Sequence, residues 1–293
     1  MGENCVRRPG MSLAGRRRAT SRAAARNPFS MRRLLAASTA VTALLVAVPA
    51  TAQAPGDPVR VEPAVAGKGS HAIFDVRSAE DPQANGRSPQ GSVLAVTSGF
   101  KFDTRARAER CSPERAKGFD CPGDSQIGTG TVNVTASNGA FSQPLVADMK
   151  VFLAPPVQSG DAAGVVLYVK ERSTGQQGTT TGRIVKTAGQ FGLEVRFDDL
   201  SGAAQAPDGF TLRVDRFQAD VGASRYEKVK VCCKTIRKNG KKKKVRYTKK
   251  VRRDLIVNPK TCAGSWAYQV RLRYSPTEES VRDGSVACSA SRR

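Results

Sequence analysis

Apolar and polar residues alternate with a period of two along most of the chain. Leu145, Ala147, Met149, Val151 and Leu153 share one face of such a run. Leu193, Val195 and Phe197 alternate with Glu194, Arg196 and Asp198. Trp266, Tyr268, Val270, Leu272 and Tyr274 alternate with Ala267, Gln269, Arg271 and Arg273, the cleanest instance. A period of two sends one set of side chains into a core and the other into water, the signature of half-buried strands. Further strands are expected near residues 71–77, 91–104, 126–135, 164–171, 179–187, 210–221 and 281–288, separated by turn-rich pieces such as AQAPDG and VQSGDAAG. One helix is signalled. Ser112 suits its N-cap, Pro113 its first position, and Gly118 its close after Glu114–Lys117. A dozen short strands with one helical turn predict an all-β antiparallel sandwich over residues 71–290, built as one extended sheet or two small ones. A single core is adequate at that length.

The pattern breaks at residues 31–52, MRRLLAASTAVTALLVAVPATA. Arg32 and Arg33 precede an apolar stretch from Leu34 to Val48, and Ala50-Thr51-Ala52 supplies a small-x-small cleavage site, so a signal peptide ending before Gln53 is expected. The apolar stretch is shorter than the roughly 20 residues a membrane-spanning helix needs. The exported product is therefore expected to carry no transmembrane span. Residues 1–30, rich in Arg and Ala, read as an extended or misplaced start upstream of Met31. Residues 53–70, rich in Pro, Gly and Ala, read as a flexible lead-in.

The formal charge of +23 is unevenly distributed. Residues 1–52 hold nine Arg and one Glu, and residues 227–254 hold fourteen Lys or Arg against Glu227 and Asp254. Outside these two segments the excess is only three. Basicity is thus a local feature of residues 227–257, EKVKVCCKTIRKNGKKKKVRYTKKVRRDLIV, in which Asn239-Gly240 between two β-favouring runs signals a hairpin. A two-residue turn would pair Val231 with Thr248 and scramble both faces. A three-residue loop, Lys238-Asn239-Gly240, pairs Val231 with Tyr247 and Cys233 with Val245, gathering Val229, Val231, Cys233, Val245, Tyr247 and Val251 on one face. Lys228, Lys230, Lys234, Lys242, Lys244, Arg246, Lys250 and Arg252 then share the other, so the bulged loop is preferred. Such a ribbon suits contact with a polyanion, an anionic cell-wall polymer or lipid headgroups. It also suits a simpler task, lysines guarding an edge against pairing with other chains. Specific nucleic-acid recognition is not indicated, because Tyr247 alone offers a ring for stacking.

Six cysteines follow the signal segment: Cys111, Cys121, Cys232, Cys233, Cys262 and Cys288. In an exported chain an even count favours disulfides, and six cysteines leave fifteen pairings open. Cys111 and Cys121 bracket a short loop, and Cys262 and Cys288 bracket two expected strands. Zinc is not indicated, since no C-x2-C spacing occurs and His71 is the single histidine. Cys232 and Cys233 are expected on opposite faces of the ribbon, Cys233 buried and Cys232 among lysines, inert or disulfide-bonded rather than redox-active.

Catalytic patterns are sparse, and no cofactor motif is found. His71 stands at the start of an expected strand and reads as a satisfied or exposed histidine. The glycines of GTGTV lack the lysine and following helix of a phosphate loop. Carboxylate pairs could serve glycan hydrolysis, and Asp198-Asp199 is the obvious cluster, but Leu200-Ser201-Gly202 after it reads as a turn. A non-enzymatic, secreted β-domain acting at or near the cell surface is the expected function, with an extracellular glycan hydrolase as the alternative.

Two motifs carry a resemblance. The run C-x9-CPGDSQIGTGTV at 111–132, together with NPKTCAGSWAYQVRLRY at 258–274 and a closing Cys288, resembles secreted β-proteins of high-GC soil bacteria. In these a CPxxSxIGTG-like cysteine loop accompanies a C-terminal Cys-x3-Trp strand, often with a lysine-rich hairpin before it. The resemblance spans most of residues 91–288 and implies disulfides Cys111–Cys121 and Cys262–Cys288. It implies no activity, and the pair Cys232-Cys233 lies outside its pattern.

Overall fold

The computed structural model describes residues 57–139, 141–203, 206, 209–238 and 240–291. The expected signal segment 31–52 and the extension 1–30 lie outside the described residues. In chain order the strands are β1 (Val59–Glu62), β2 (Gly69–Arg77), β3 (Gly91–Thr97), β4 (Lys101–Phe102), β5 (Gln126–Ser137), β6 (Ser142–Ala154) and β7 (Asp161–Glu171). They continue with β8 (Gln177–Lys186), β9 (Phe191–Phe197), β10 (Thr211–Val221), β11 (Ser224–Lys238), β12 (Lys241–Asp254), β13 (Ile256–Val257), β14 (Ser265–Ser275) and β15 (Glu278–Ala287). The helix α1 covers Pro113–Lys117. Ser112 caps it by accepting the Arg115 N–H at 3.3 Å, and Gly118 closes it.

Thirteen strands form one antiparallel sheet in the order β15-β14-β3-β9-β8-β7-β6-β5-β10-β2-β13-β4, with β1 paired to β2. The chain is all-β with a sandwich-like arrangement, and the extended-sheet form is the one observed. Strands β11 and β12 pair only with each other. The strands read from the period of two are present, except that the expected strand at 91–104 is broken after Thr97 into β3 and β4, which pair with different neighbours. Leu153 and Met149 are fully buried on β6, and Trp266, Tyr268, Val270, Leu272 and Tyr274 are buried in a row on β14. Gly284 is required opposite that row, because the Tyr268 ring occupies the space a side chain there would need.

One expectation is corrected. Residues 53–70 are not wholly a loose lead-in, since Val59–Glu62 forms β1 and buries Val59 and Val61. The strand is four residues long between Pro58 and Pro63, and the flanking prolines and glycines masked its alternation.

The large sheet rolls until its ends meet. Beyond β1 and β15, Val65 and Ser289 form a parallel bridge: the Ala66 N–H donates to the Ser289 carbonyl at 2.9 Å, and the Ser289 N–H to the Ala64 carbonyl at 2.9 Å. Val59, Val61 and Ala66 consequently pack in one cluster with the β14 aromatic row. A second cluster joins Ile127, Val134, Met149, Leu153, Leu167 and Ile184 from the central meander.

Polar groups hold the closure. Asn258, 1% exposed, donates its amide to the Pro63 and Val65 carbonyls at 2.8 and 2.9 Å and accepts the Ser70 hydroxyl at 2.6 Å. A buried amide bonded at three points ties the exit of β1, the start of β2 and the segment after β13 together. The buried Asp81 plays a similar part: it accepts the Tyr274 hydroxyl at 3.1 Å and faces Arg282 at 3.3 Å. Burial pushes its carboxyl up, but Ser280, the Gln83 N–H, Arg282 and Tyr274 outweigh that and hold it below the usual carboxylate range. Disulfides Cys111–Cys121 and Cys262–Cys288 are present, with Cα separations of 5.0 and 5.9 Å. The second fastens the approach to β14 to the end of β15, and Cys262 and Cys288 pack on the Trp266 cluster.

Asn258→Ala removes the amide donor from the Pro63 carbonyl and the acceptor from the buried Ser70 hydroxyl, while the Val65 carbonyl keeps the Lys68 N–H at 3.2 Å. It is expected to lower stability by about 1–3 kcal/mol in chemical denaturation. An unchanged midpoint would show that the closure does not depend on this amide.

Glu171 ends β7 and holds the turn into β8, its carboxylate accepting the Ser173 N–H at 2.9 Å, the Thr174 hydroxyl at 2.7 Å and the Thr174 N–H. Burial pushes this carboxyl up, yet these bonds from Ser173 and Thr174 prevail and bring it from 4.5 down to about 2. Because the folded value is depressed, the stabilisation is present above about pH 4.5 and is lost as pH falls toward 2. Glu171→Gln is expected to flatten the fall of the denaturation midpoint in that window. Identical acid profiles for the two proteins would refute the assignment.

Candidate polyanion-binding ribbon

The basic segment leaves the body between β10 and β13. Its root is a short knot of backbone bonds: the Leu255 N–H donates to the Ala223 carbonyl at 2.8 Å, and the Asp103 N–H to the Leu255 carbonyl at 2.8 Å. Leu255 and Ala223 are both buried. Arg253 reinforces the root through Glu227 at 2.9 Å and Asp103 at 3.8 Å, and Arg252 pairs with Asp254 at 2.7 Å. Beyond these contacts the ribbon extends as two strands of 15 and 14 residues, a reach of roughly 45 Å at the usual rise per residue.

The register carries one agreement and one correction. Val231 pairs with Tyr247, as the apolar pattern requires, and Val229 with Lys249, the one misfit on that face. The means differ. Lys238 pairs with Lys241, so two residues rather than three separate the strands, and Gly240 takes the left-handed conformation with φ 73°. The extra residue sits lower down. A bulge between Val231 and Lys234 takes up Cys232 and Cys233, which are bonded to each other. Lys234, not Cys233, therefore pairs with Val245. Cys233 is also exposed rather than buried. The alternation legible on either side of the bulge shows that it exists, but cannot locate it. Loop and bulge restore the same phase.

The apolar side of the ribbon is incompletely buried. Tyr247 is 42% exposed and Ile236 37%, and Val229, Val231, Val245 and Val251 are half-buried, while Tyr226, opposite Arg252, lies on the cationic side and is 71% exposed. Lys228, Lys230, Lys242, Lys244, Arg246 and Lys250 are all exposed, and among the described residues none forms an ion pair with a carboxylate. Several cations face one another across the ladder, Lys228 opposite Lys250 and Arg237 opposite Lys242. Like charges directly opposite are destabilising. The ribbon therefore keeps a repulsion that a bound anion would relieve.

The remaining candidates have structural partners. His71 Nδ1 lies 2.9 Å from Asp220 Oδ1, with both side chains more than half exposed at the rim of a shallow polar cleft that also contains Arg107 and Thr129. Asp198 sits 3.8 Å from Arg183, and its carbonyl accepts Arg273. Asp199 accepts the Ser201 N–H at 2.8 Å, closing the turn that Leu200-Ser201-Gly202 suggested. The two carboxylates are thus held by separate partners. No helix among the described residues is long and apolar enough to cross a membrane.

Comparison with known proteins finds no matching family model, curated relative or solved structure, so a functional reading rests on the geometry of this chain.

Proposed function

We propose that this chain is an exported, non-enzymatic β-protein that acts at or near the cell surface, where its ribbon holds an anionic polymer of the envelope. The observation that carries this reading is the ribbon itself. It is a separate two-stranded sheet, joined to the body at Ala223, Leu255 and Arg253, with Lys228, Lys230, Lys242, Lys244, Arg246 and Lys250 exposed and without acidic partners among the described residues. Residues on one face of a strand recur every roughly 7 Å. A row of cations at that spacing suits a repeating polyanion better than a single headgroup, and each contact gains from released counterions. Export is supported by the Arg32-Arg33, Leu34–Val48 and Ala50-Thr51-Ala52 pattern and by the disulfides, which persist outside the reducing cytoplasm. No base-reading constellation accompanies the cations, so sequence-specific nucleic-acid binding forms no part of the proposal.

The expected behaviour is steep salt dependence. The wild type should be retained on a heparin column at low salt and released as salt rises. Lys242→Gln, Lys244→Gln and Arg246→Gln in combination should flatten that dependence while leaving stability within about 0.5 kcal/mol, as for most exposed substitutions. Binding to anionic vesicles without retention on the polymer would move the assignment to lipid headgroups. Flow-through of the wild type at low salt, with aggregation of the neutralised variant by light scattering, would replace polymer binding with edge protection.

A further inference from the structure

The inner face of the rolled sheet is not filled. A cavity of about 470 Å³ lies between the meander β5–β9 and the strands β1, β2, β3, β10 and β14. That is many times the share of liquid volume held by one water, about 30 Å³, and it falls within the range of small-ligand sites, about 300–1,000 Å³. Native interiors are close-packed, with few voids larger than a water molecule. The burial of the lining residues agrees with the volume. Phe74, Leu94, Leu145, Leu193, Val195 and Phe197 sit on the apolar phase of their strands and line the cavity, yet are only half-buried.

The lining changes character at one end. Along β6 the inward phase runs Val151, Met149, Ala147, Leu145 and then Gln143, and along β7 it runs Val165, Leu167, Val169 and then Glu171. Gln143 is exposed, and so are Phe141, Ser173, Thr174 and Gln176, which border the cavity beside it. The cavity thus reaches the surface at the β7–β8 turn through a polar rim with one exposed phenylalanine. A dry apolar barrel with a polar mouth fits an amphiphile with one chain. The rim also selects the head. Gln143, Ser173, Thr174 and Gln176 offer neutral hydrogen-bonding groups, and the one charge, Glu171, is a carboxylate already bonded to Ser173 and Thr174. An anionic head would meet that carboxylate with no cation among these rim residues to offset it.

We propose that the interior of the sheet binds the hydrocarbon chain of a neutral single-chain lipid, such as a long-chain monoacylglycerol, with its uncharged head at the rim formed by Phe141, Gln143 and the Glu171–Gln176 turn. This site is separate from the ribbon, and its occupant is recognised by apolar contact rather than charge.

Native mass spectrometry of the folded protein with monoolein, and with oleic acid as the anionic counterpart, tests the proposal. One monoolein per chain is expected, with weaker retention of oleic acid. Across a series of monoacylglycerols the affinity should rise about four-fold per added methylene until the cavity is full. Val195→Phe places a ring in the void and should reduce monoolein binding at least ten-fold with the melting temperature unchanged or raised. Leu145→Trp, nearer the mouth, serves the same purpose if Val195→Phe fails to fold. Absence of a monoolein complex with the wild type would overturn the proposal. So would equal binding by a folded cavity-filling variant, or stronger binding of oleic acid than of monoolein.

Discussion

An antiparallel sheet of thirteen strands has one apolar face and two open edges, and its stability depends on hiding both at once. Rolling solves the two problems together. The face turns inward, and the first strand, β1, comes to rest beside the last, β15, where backbone bonds between residues 64–66 and Ser289 close the seam. Three groups in the body support that seam. Asn258 holds the exits of β1 and β13 against the start of β2, Asp81 fixes Tyr274 and Arg282 beneath it, and Cys262–Cys288 locks the last two strands to each other. Buried polar groups are stabilising only when fully bonded, and these two are bonded at several points each.

Rolling a broad sheet also has a geometric consequence. Opposite walls that are many strands apart in sheet order cannot all be brought into contact by side chains of ordinary size. Glycine and alanine occupy inward positions, as at Gly182, which lies against the Phe197 ring, and at Ala147. The void among Leu94, Leu145, Leu193 and Val195 is the result. The ribbon obeys a different logic. None of its residues joins the buried core clusters, its valines are only half-buried, and Tyr226 and Tyr247 are exposed. An isolated two-stranded hairpin is marginal in water, so the root at Ala223, Leu255 and Arg253 is what keeps it extended from the body.

Much of this was legible in the chain. Period-two alternation located β5 to β10, β14 and β15, because a strand buried on one side has no other way to be written. Ser112, Pro113 and Gly118 marked α1 for equally local reasons. What escaped was non-local or phase-neutral. β1 is four residues between prolines, too short for a pattern to accumulate. The bulge at Cys232-Cys233 shifts the ladder by one residue, as a longer turn would, so hydrophobic phase alone could not choose between them. The importance of Asn258 depends on carbonyls nearly two hundred positions away in sequence. The cavity is hidden for a related reason: the sequence shows which residues face inward but not whether they touch.

The central claim is that the body and the ribbon divide the work, one folding and the other meeting the anion. Ala223 and Leu255 are already joined by a backbone hydrogen bond of 2.8 Å, so residues 224–254 can be replaced by a short Asn-Gly turn without moving either end. The thermal unfolding and salt-dependent heparin retention of that shortened chain, measured beside the full one, test the division directly. An unchanged melting temperature with retention abolished is the predicted result. Retention that survives removal of the ribbon, or a body that no longer folds without it, would contradict the account.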